Sequence, residues 1–113
     1  MFINLSKDES LDLLKNNIYG HLGCHALGKT YVVPISYAFD GKYVYCHTHE
    51  GLKMDLMRRN AAVCFQVQEI DAVANWKSVI VQGNFQELEG DKRKKGLTAL
   101  LDRSVPAVVT ETV

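Results

Sequence analysis

The sequence predicts a mainly β fold, a small antiparallel barrel with one short helix inserted in its middle and helices at its ends. Three observations carry this. Residues 30–39 set Tyr31, Val33, Ile35, Tyr37 and Phe39 on one face at period two and the small Thr30, Val32, Pro34, Ser36 and Ala38 on the other. Asp40-Gly41, a preferred two-residue hairpin turn, joins that run to Lys42–Thr48. Three further strand-like runs follow or precede with only one short helix among them, which favours hairpin-linked strands over βαβ units.

The elements follow in order. Ser6-Lys-Asp-Glu9 fits a capping box, and Leu11, Leu13, Leu14 and Ile18 continue at near-helical spacing, so a helix is expected over residues 7–17 with Gly20 ending it. Residues 20–28, GHLGCHALG, alternate His21, Gly23 and His25 against Leu22, Cys24 and Ala26, the pattern of a strand approached closely by another backbone. After the Asp40-Gly41 hairpin, Glu50-Gly51 breaks the second strand, and Leu52–Arg59 carries Leu52 and Leu56 at i, i+4 as a helix of about two turns. Residues 61–68 (Val63, Phe65, Val67) and 78–88 (Val79, Val81, Phe85) read as strands, with a connection over Glu69–Asn75 that holds no strong turn dipeptide. Asp91–Arg103 reads as a helix weakened by Gly96, and residues 105–113 as a strand, an arm or a tail. Five short strands close a barrel poorly, so an unpaired edge is expected, and covering it is a physical reason to dimerise.

At 113 residues and 12.7 kDa the chain has the length of one domain, 1–113, with a single core and no deep enclosed pocket of its own. Thirteen basic residues balance thirteen acidic ones, which disfavours a nucleic-acid surface. No membrane span and no signal-peptide pattern is visible, so a cytoplasmic protein is expected. Cys24, Cys46 and Cys64 are an odd number without a Cys-x-x-Cys pair and read as small buried residues rather than disulfides or zinc ligands.

Rossmann, P-loop and nucleophile-elbow motifs are absent. The chemically unusual stretch is Cys46-His-Thr-His-Glu-Gly-Leu-Lys53, which runs from a strand end through glycine into a helix start. Free N–H groups and the dipole of a helix N-terminus attract an anion, and Thr48 and Lys53 are placed to complete its contacts, with Arg58 and Arg59 adding positive field. The plain alternative is a solvated helix face. Pro34 in mid-strand removes a ladder donor, and the small face around it leaves room for a flat ring with main-chain groups at its edge; an edge strand without ligand is the competing reading. The four histidines, His47 and His49 at strand spacing and His21 and His25 elsewhere, read mainly as polar wall or ligand contacts rather than metal ligands, and Trp76 as an interface or a core residue.

The stretches VVPISYAFDGKYVYCHTHEGLKMDLMRRNAAVCFQV and WKSVIVQGNFQEL, in that order, resemble the FMN-binding split-barrel superfamily of pyridoxamine 5'-phosphate oxidase-like proteins, in particular the branch of nitroimidazole-resistance proteins. The resemblance implies a six-stranded Greek-key barrel and a homodimer with FMN at the interface. By position, Val33, Pro34, Ile35 and Ser36 would line the isoalloxazine ring, His47, Thr48 and Lys53 would hold the phosphate, Ser78 would meet the ring's polar edge, and Trp76 would stand near the flavin or the dimer seam. The longer relatives carry a further strand after the last helix, for which the final nine residues here are a candidate substitute. The function implied is reduction of a small molecule, with a nitroaromatic compound as one class. A flavin-binding or sensing protein without turnover, and a haem-binding split barrel with His47 or His49 as axial ligand, are the alternatives. No catalytic acid or base is identified.

Overall fold

The computed structural model describes residues 4–102. Its elements are α1 (Lys7–Lys15), β1 (Tyr19–Ala26), β2 (Lys29–Phe39), β3 (Val44–Cys46), α2 (Leu52–Arg59), β4 (Ala62–Ala72), β5 (Asn75–Asn84) and α3 (Gly90–Asp102). The capping box forms as expected, with Ser6 Oγ accepting from the Glu9 amide and Glu9 Oε1 from the Ser6 amide, both at 3.1 Å. The helix stops earlier than its apolar spacing suggests. Asn16 caps it, and Ile18 and Gly20 belong to the entry of the sheet.

All five strands pair antiparallel in the order β3-β2-β1-β4-β5. Three hairpin-linked strands followed by a fourth that returns beside the first make a Greek key, and α2 lies in the returning connection. The fold is a split barrel, with five strands among the described residues; residues 104–113, a candidate site for a sixth, lie outside them.

Each hairpin solves its turn differently. Between β1 and β2 the two-residue turn Leu27-Gly28 has positive φ at both positions, 54° and 74°, the type I′ geometry. Asp40-Gly41, expected to form such a turn, instead sits in a four-residue loop, since Phe39 pairs with Val44. The Asp40 carboxylate holds that loop by accepting from the Lys42 and Tyr43 amides at 2.8 and 2.7 Å and from the Tyr45 hydroxyl at 2.9 Å. Burial works to raise this carboxyl, but the three donors, with Lys95 nearby, hold it below the usual carboxylate range. This loop delays the start of β3, which is only three residues long. The Glu69–Asn75 connection is no loop: β4 and β5 extend through it to a two-residue turn at Val73-Ala74, with a register shift between Ile70 and Ala72 that absorbs one residue as a bulge. Conversely, β5 ends at Asn84; the Phe85 amide still donates to the Ala61 carbonyl at 2.7 Å, and residues 86–88 leave the sheet.

Inside, the large face of β2 meets α1, α2 and β4. Tyr37 and Val67 are fully buried among Leu13, Leu14, Leu22, Met54, Leu56 and Met57. The Tyr37 ring stands edge-on to Phe65, centroids 4.9 Å apart. The close approach read from the glycines of β1 is real at Gly20, where a Cβ would come within 2.5 Å of the Phe65 ring and 2.8 Å of the Gln66 carbonyl. Of the cysteines, Cys24 is buried as expected; Cys64 is only half-buried, and Cys46 is exposed where β3 ends at an open cleft. None of the described helices is long and apolar enough to cross a membrane.

Candidate functional site

Packing of Tyr31, Val33, Ile35 and Tyr37 on the core turns Val32, Pro34 and Ser36 outward, while Ala38, further along the same face, is buried. Pairing then fixes their neighbours: Ser36 lies opposite Tyr19, Pro34 opposite His21 and Val32 opposite Gly23. Further across the same face, His21 lies opposite Gln66, Gln66 opposite Ile80, and Gln68 opposite Ser78. The outer face is therefore a shelf of small and apolar groups, with Val32 and Ile80 each 63% exposed, crossed by a polar line from His21 through Gln66 to Ser78.

Main-chain direction explains Pro34. The Tyr37 amide donates to the Ile18 carbonyl at 2.8 Å, on the β1 side. Groups alternate along a strand, so the odd-numbered residues of β2 address β1 and the even-numbered ones address the other edge. There β3 pairs only with Tyr37–Phe39, and no described strand borders residues 30–36. Pro34 lacks its N–H on this open edge, where no ladder bond is forfeited, while the main-chain groups of Val32 and Ser36 point outward for a ligand.

The proposed ring residues thus divide. Pro34 and Ser36 present side chains to the shelf, whereas Val33 and Ile35 point into the core and, being odd-numbered, turn their main-chain groups to β1, so neither side chain nor backbone is offered to a ligand at the open edge. Ser78 is half-buried on the same face and accepts from Gln66 Nε2 at 2.9 Å. Trp76 is 48% exposed, opposite Ile70 near the tip of the β4–β5 hairpin, so it is not a core tryptophan.

The second cluster follows β3. His47 and Thr48 line a cleft of about 400 Å³ that opens along the split in the barrel, with Phe85, Leu88 and Leu97 opposite. The His47 and His49 rings are edge-to-face neighbours, centroids 5.9 Å apart. Gly51 begins α2 with extended backbone and no side-chain cap, which leaves first-turn N–H groups for an external acceptor. Lys53 is half-buried in that first turn and stands outside the cleft. Its charge reaches Cys24, whose thiol burial pushes up and Lys53 pulls down.

Arg58 departs from the expected positive field. Its guanidinium is bound to the carboxylates of Glu50 and Glu87, which it holds below their usual range while its own pKa is raised. The trio is a clasp across the split and offers an anion no net positive charge. Gln66 and the clasp are the parts that sequence reasoning missed, and it reads His21 only as one of four polar-wall histidines. Strand alternation sets His21 apart from the apolar face and could have done the same for Gln66, but cross-strand register was needed to bring them together.

The family model for pyridoxamine 5'-phosphate oxidase matches residues 6–113. A protein of Rhizobium meliloti (strain 1021) is 37% identical over 89 residues, 78% of this chain and 59% of that one. The chain thus spans less than two thirds of that relative. Among solved structures, an FAD-binding protein from Mesorhizobium loti is 37% identical with a TM-score of 0.73, covering 83% of this chain and 67% of the other. A protein described as a candidate for 5-nitroimidazole antibiotic resistance, from Bacteroides thetaiotaomicron, shares the fold at a TM-score of 0.79 and 17% identity, over 98% of this chain and 74% of its own.

Proposed function

The chain belongs to the pyridoxamine 5'-phosphate oxidase family, and from that premise we propose that it is an FMN-dependent oxidoreductase acting on a small molecule, a nitroaromatic compound being one class. The observation that carries the reading is the open β2 edge at Pro34, backed by a flat outer shelf, in a chain 37% identical to a protein described as FAD-binding. A flavin, when bound, supplies electron and hydride transfer. The chain's own residues bind and orient it. Val32 and Pro34 give the ring an apolar floor, the free main-chain groups of Val32 and Ser36 stand along its rim, and Ser78 meets its polar edge with a hydroxyl. His47, Thr48, Lys53 and the uncapped start of α2 take the phosphate.

In this reading a second copy covers Tyr19, Val32, Ile70, Trp76 and Ile80, which one chain leaves exposed, and completes the walls that exclude water. Protein purified without added cofactor is expected to show a flavin absorption spectrum and to sediment as a dimer, and mass analysis of the released cofactor distinguishes FMN from FAD. Protein that is colourless and takes up neither nucleotide on titration overturns the reading; a haem spectrum replaces it with the haem-binding alternative.

A further inference from the structure

Gln66 stands in the middle of the outer face with both hydrogens of its amide used. Nε2 donates to Ser78 Oγ at 2.9 Å and to Gln68 Oε1 at 3.0 Å, while Oε1 faces His21 Nδ1 at 3.3 Å. An amide oxygen only accepts, so His21 donates through Nδ1, and in the neutral imidazole Nε2 is left as an acceptor. Among the described residues no other hydrogen bond engages the His21 ring. His21 lies directly opposite Pro34 on one side and Gln66 on the other, so this acceptor belongs to the shelf. Ser78 in turn accepts from Gln66, which frees its own hydroxyl proton for donation.

We propose that His21 is the specificity-determining residue of the shelf: its Nε2 accepts an N–H from a planar heterocycle lying against Pro34, and Gln66 is the positioning residue that fixes the tautomer. The His21 acceptor and the Ser78 donor, tied through one amide, select a ring edge on which an N–H stands beside a carbonyl, as in an imide. This inference rests on the flavin reading and names the ring atoms that reading leaves open.

Two measurements test it. In cofactor-free protein, at a pH where imidazole is neutral, nitrogen-15 NMR is expected to show His21 protonated at Nδ1, and Gln66→Leu to return it toward the Nε2-protonated form that free imidazole side chains prefer. Binding is then compared between FMN and FMN methylated at the imide nitrogen. The wild type is expected to prefer FMN by about tenfold, the upper range for one neutral hydrogen bond. His21→Phe is expected to bind both alike, and His21→Gln, which keeps an acceptor, to recover part of the preference. An Nε2-protonated His21 in the wild type, or a preference that survives in His21→Phe, overturns the proposal while leaving flavin binding intact. Failure of the wild type to bind FMN overturns the flavin reading and this inference with it.

Discussion

Arg58 holds Glu50 through two parallel hydrogen bonds, 2.6 and 2.7 Å long. Glu50 precedes α2, and the same guanidinium reaches Glu87, beyond β5, at 2.6 Å. One side chain therefore ties the two margins of the split, where β3 is short and residues 86–88 have left the sheet. Paired geometry gives such a clasp more specificity than an isolated surface ion pair, although exposure keeps its contribution small.

Arg58→Gln is expected to lower Tm slightly at neutral pH, with the difference shrinking in high salt. The pH dependence follows from the carboxylates. Glu50 and Glu87 are held below their ordinary range by Arg58, so their contribution is present above the unfolded value, about 4.3, and is lost as pH falls through the folded values. Thermal melts of both proteins across pH 7 to about 3 should converge at the acid end. A difference that persists there would assign the effect to packing of the arginine stem.

Tyr37→Phe probes the core. The hydroxyl donates to the Leu14 carbonyl at 2.6 Å in a fully buried position. Its removal leaves that acceptor without this donor and is expected to cost about 1–3 kcal/mol in denaturant unfolding. Burial, with Cys46 and Glu69 nearby, pushes the phenol up to about 12. Because the folded value is raised, the stabilisation is complete below the unfolded value, about 10, and is lost as pH rises from there through about 12. The gap between wild type and Tyr37→Phe should narrow across that alkaline window, and a gap constant throughout it would show that Tyr37 ionises equally well in both states.

How much of this was legible beforehand depends on which force set each element. The alternation in β2, the capping box of α1 and the helix at Leu52–Arg59 came through because burial and capping are local patterns. The Asp40-Gly41 turn did not, because a side chain, not turn propensity, closes that loop: the Asp40 carboxylate takes two amides and the Tyr45 hydroxyl. The Val73-Ala74 hairpin was invisible since its register is set by the long β4–β5 ladder rather than by its turn residues. Within the site, Pro34 and Ser36 could be read from strand parity. The same parity could have warned that Val33 and Ile35 turn inward. Neutralisation of Arg58 required knowing that residues far apart in the chain, Glu50 and Glu87, meet across the split.

Lys53→Ala tests the phosphate end of the site. Lys53 lies in the uncapped first turn of α2, so it is expected to favour a phosphate and to be indifferent to the ring. Loss of one charge-assisted hydrogen bond costs on the order of 1.5–3 kcal/mol, roughly tenfold to a hundredfold in FMN affinity. Riboflavin, which lacks the phosphate, should bind wild type and variant alike. Equal weakening for both ligands would assign Lys53 to the fold, through its place near Cys24.

Ser78→Ala tests the ring end, and its readout is the reduction potential. Ser78 Oγ accepts from Gln66 Nε2 at 2.9 Å, which leaves the hydroxyl proton available to a ring atom whose charge changes on reduction. A donor at such an atom stabilises oxidised and reduced rings unequally, whereas phosphate contacts hold both alike. The affinity change should stay within about tenfold, because a neutral hydrogen bond contributes about 0.5–1.5 kcal/mol net. The potential in a redox titration should nevertheless move. If FMN remains bound to Ser78→Ala at the wild-type potential, the Ser78 hydroxyl serves only Gln66, and the polar edge of the ring is met by the open main chain of β2 instead.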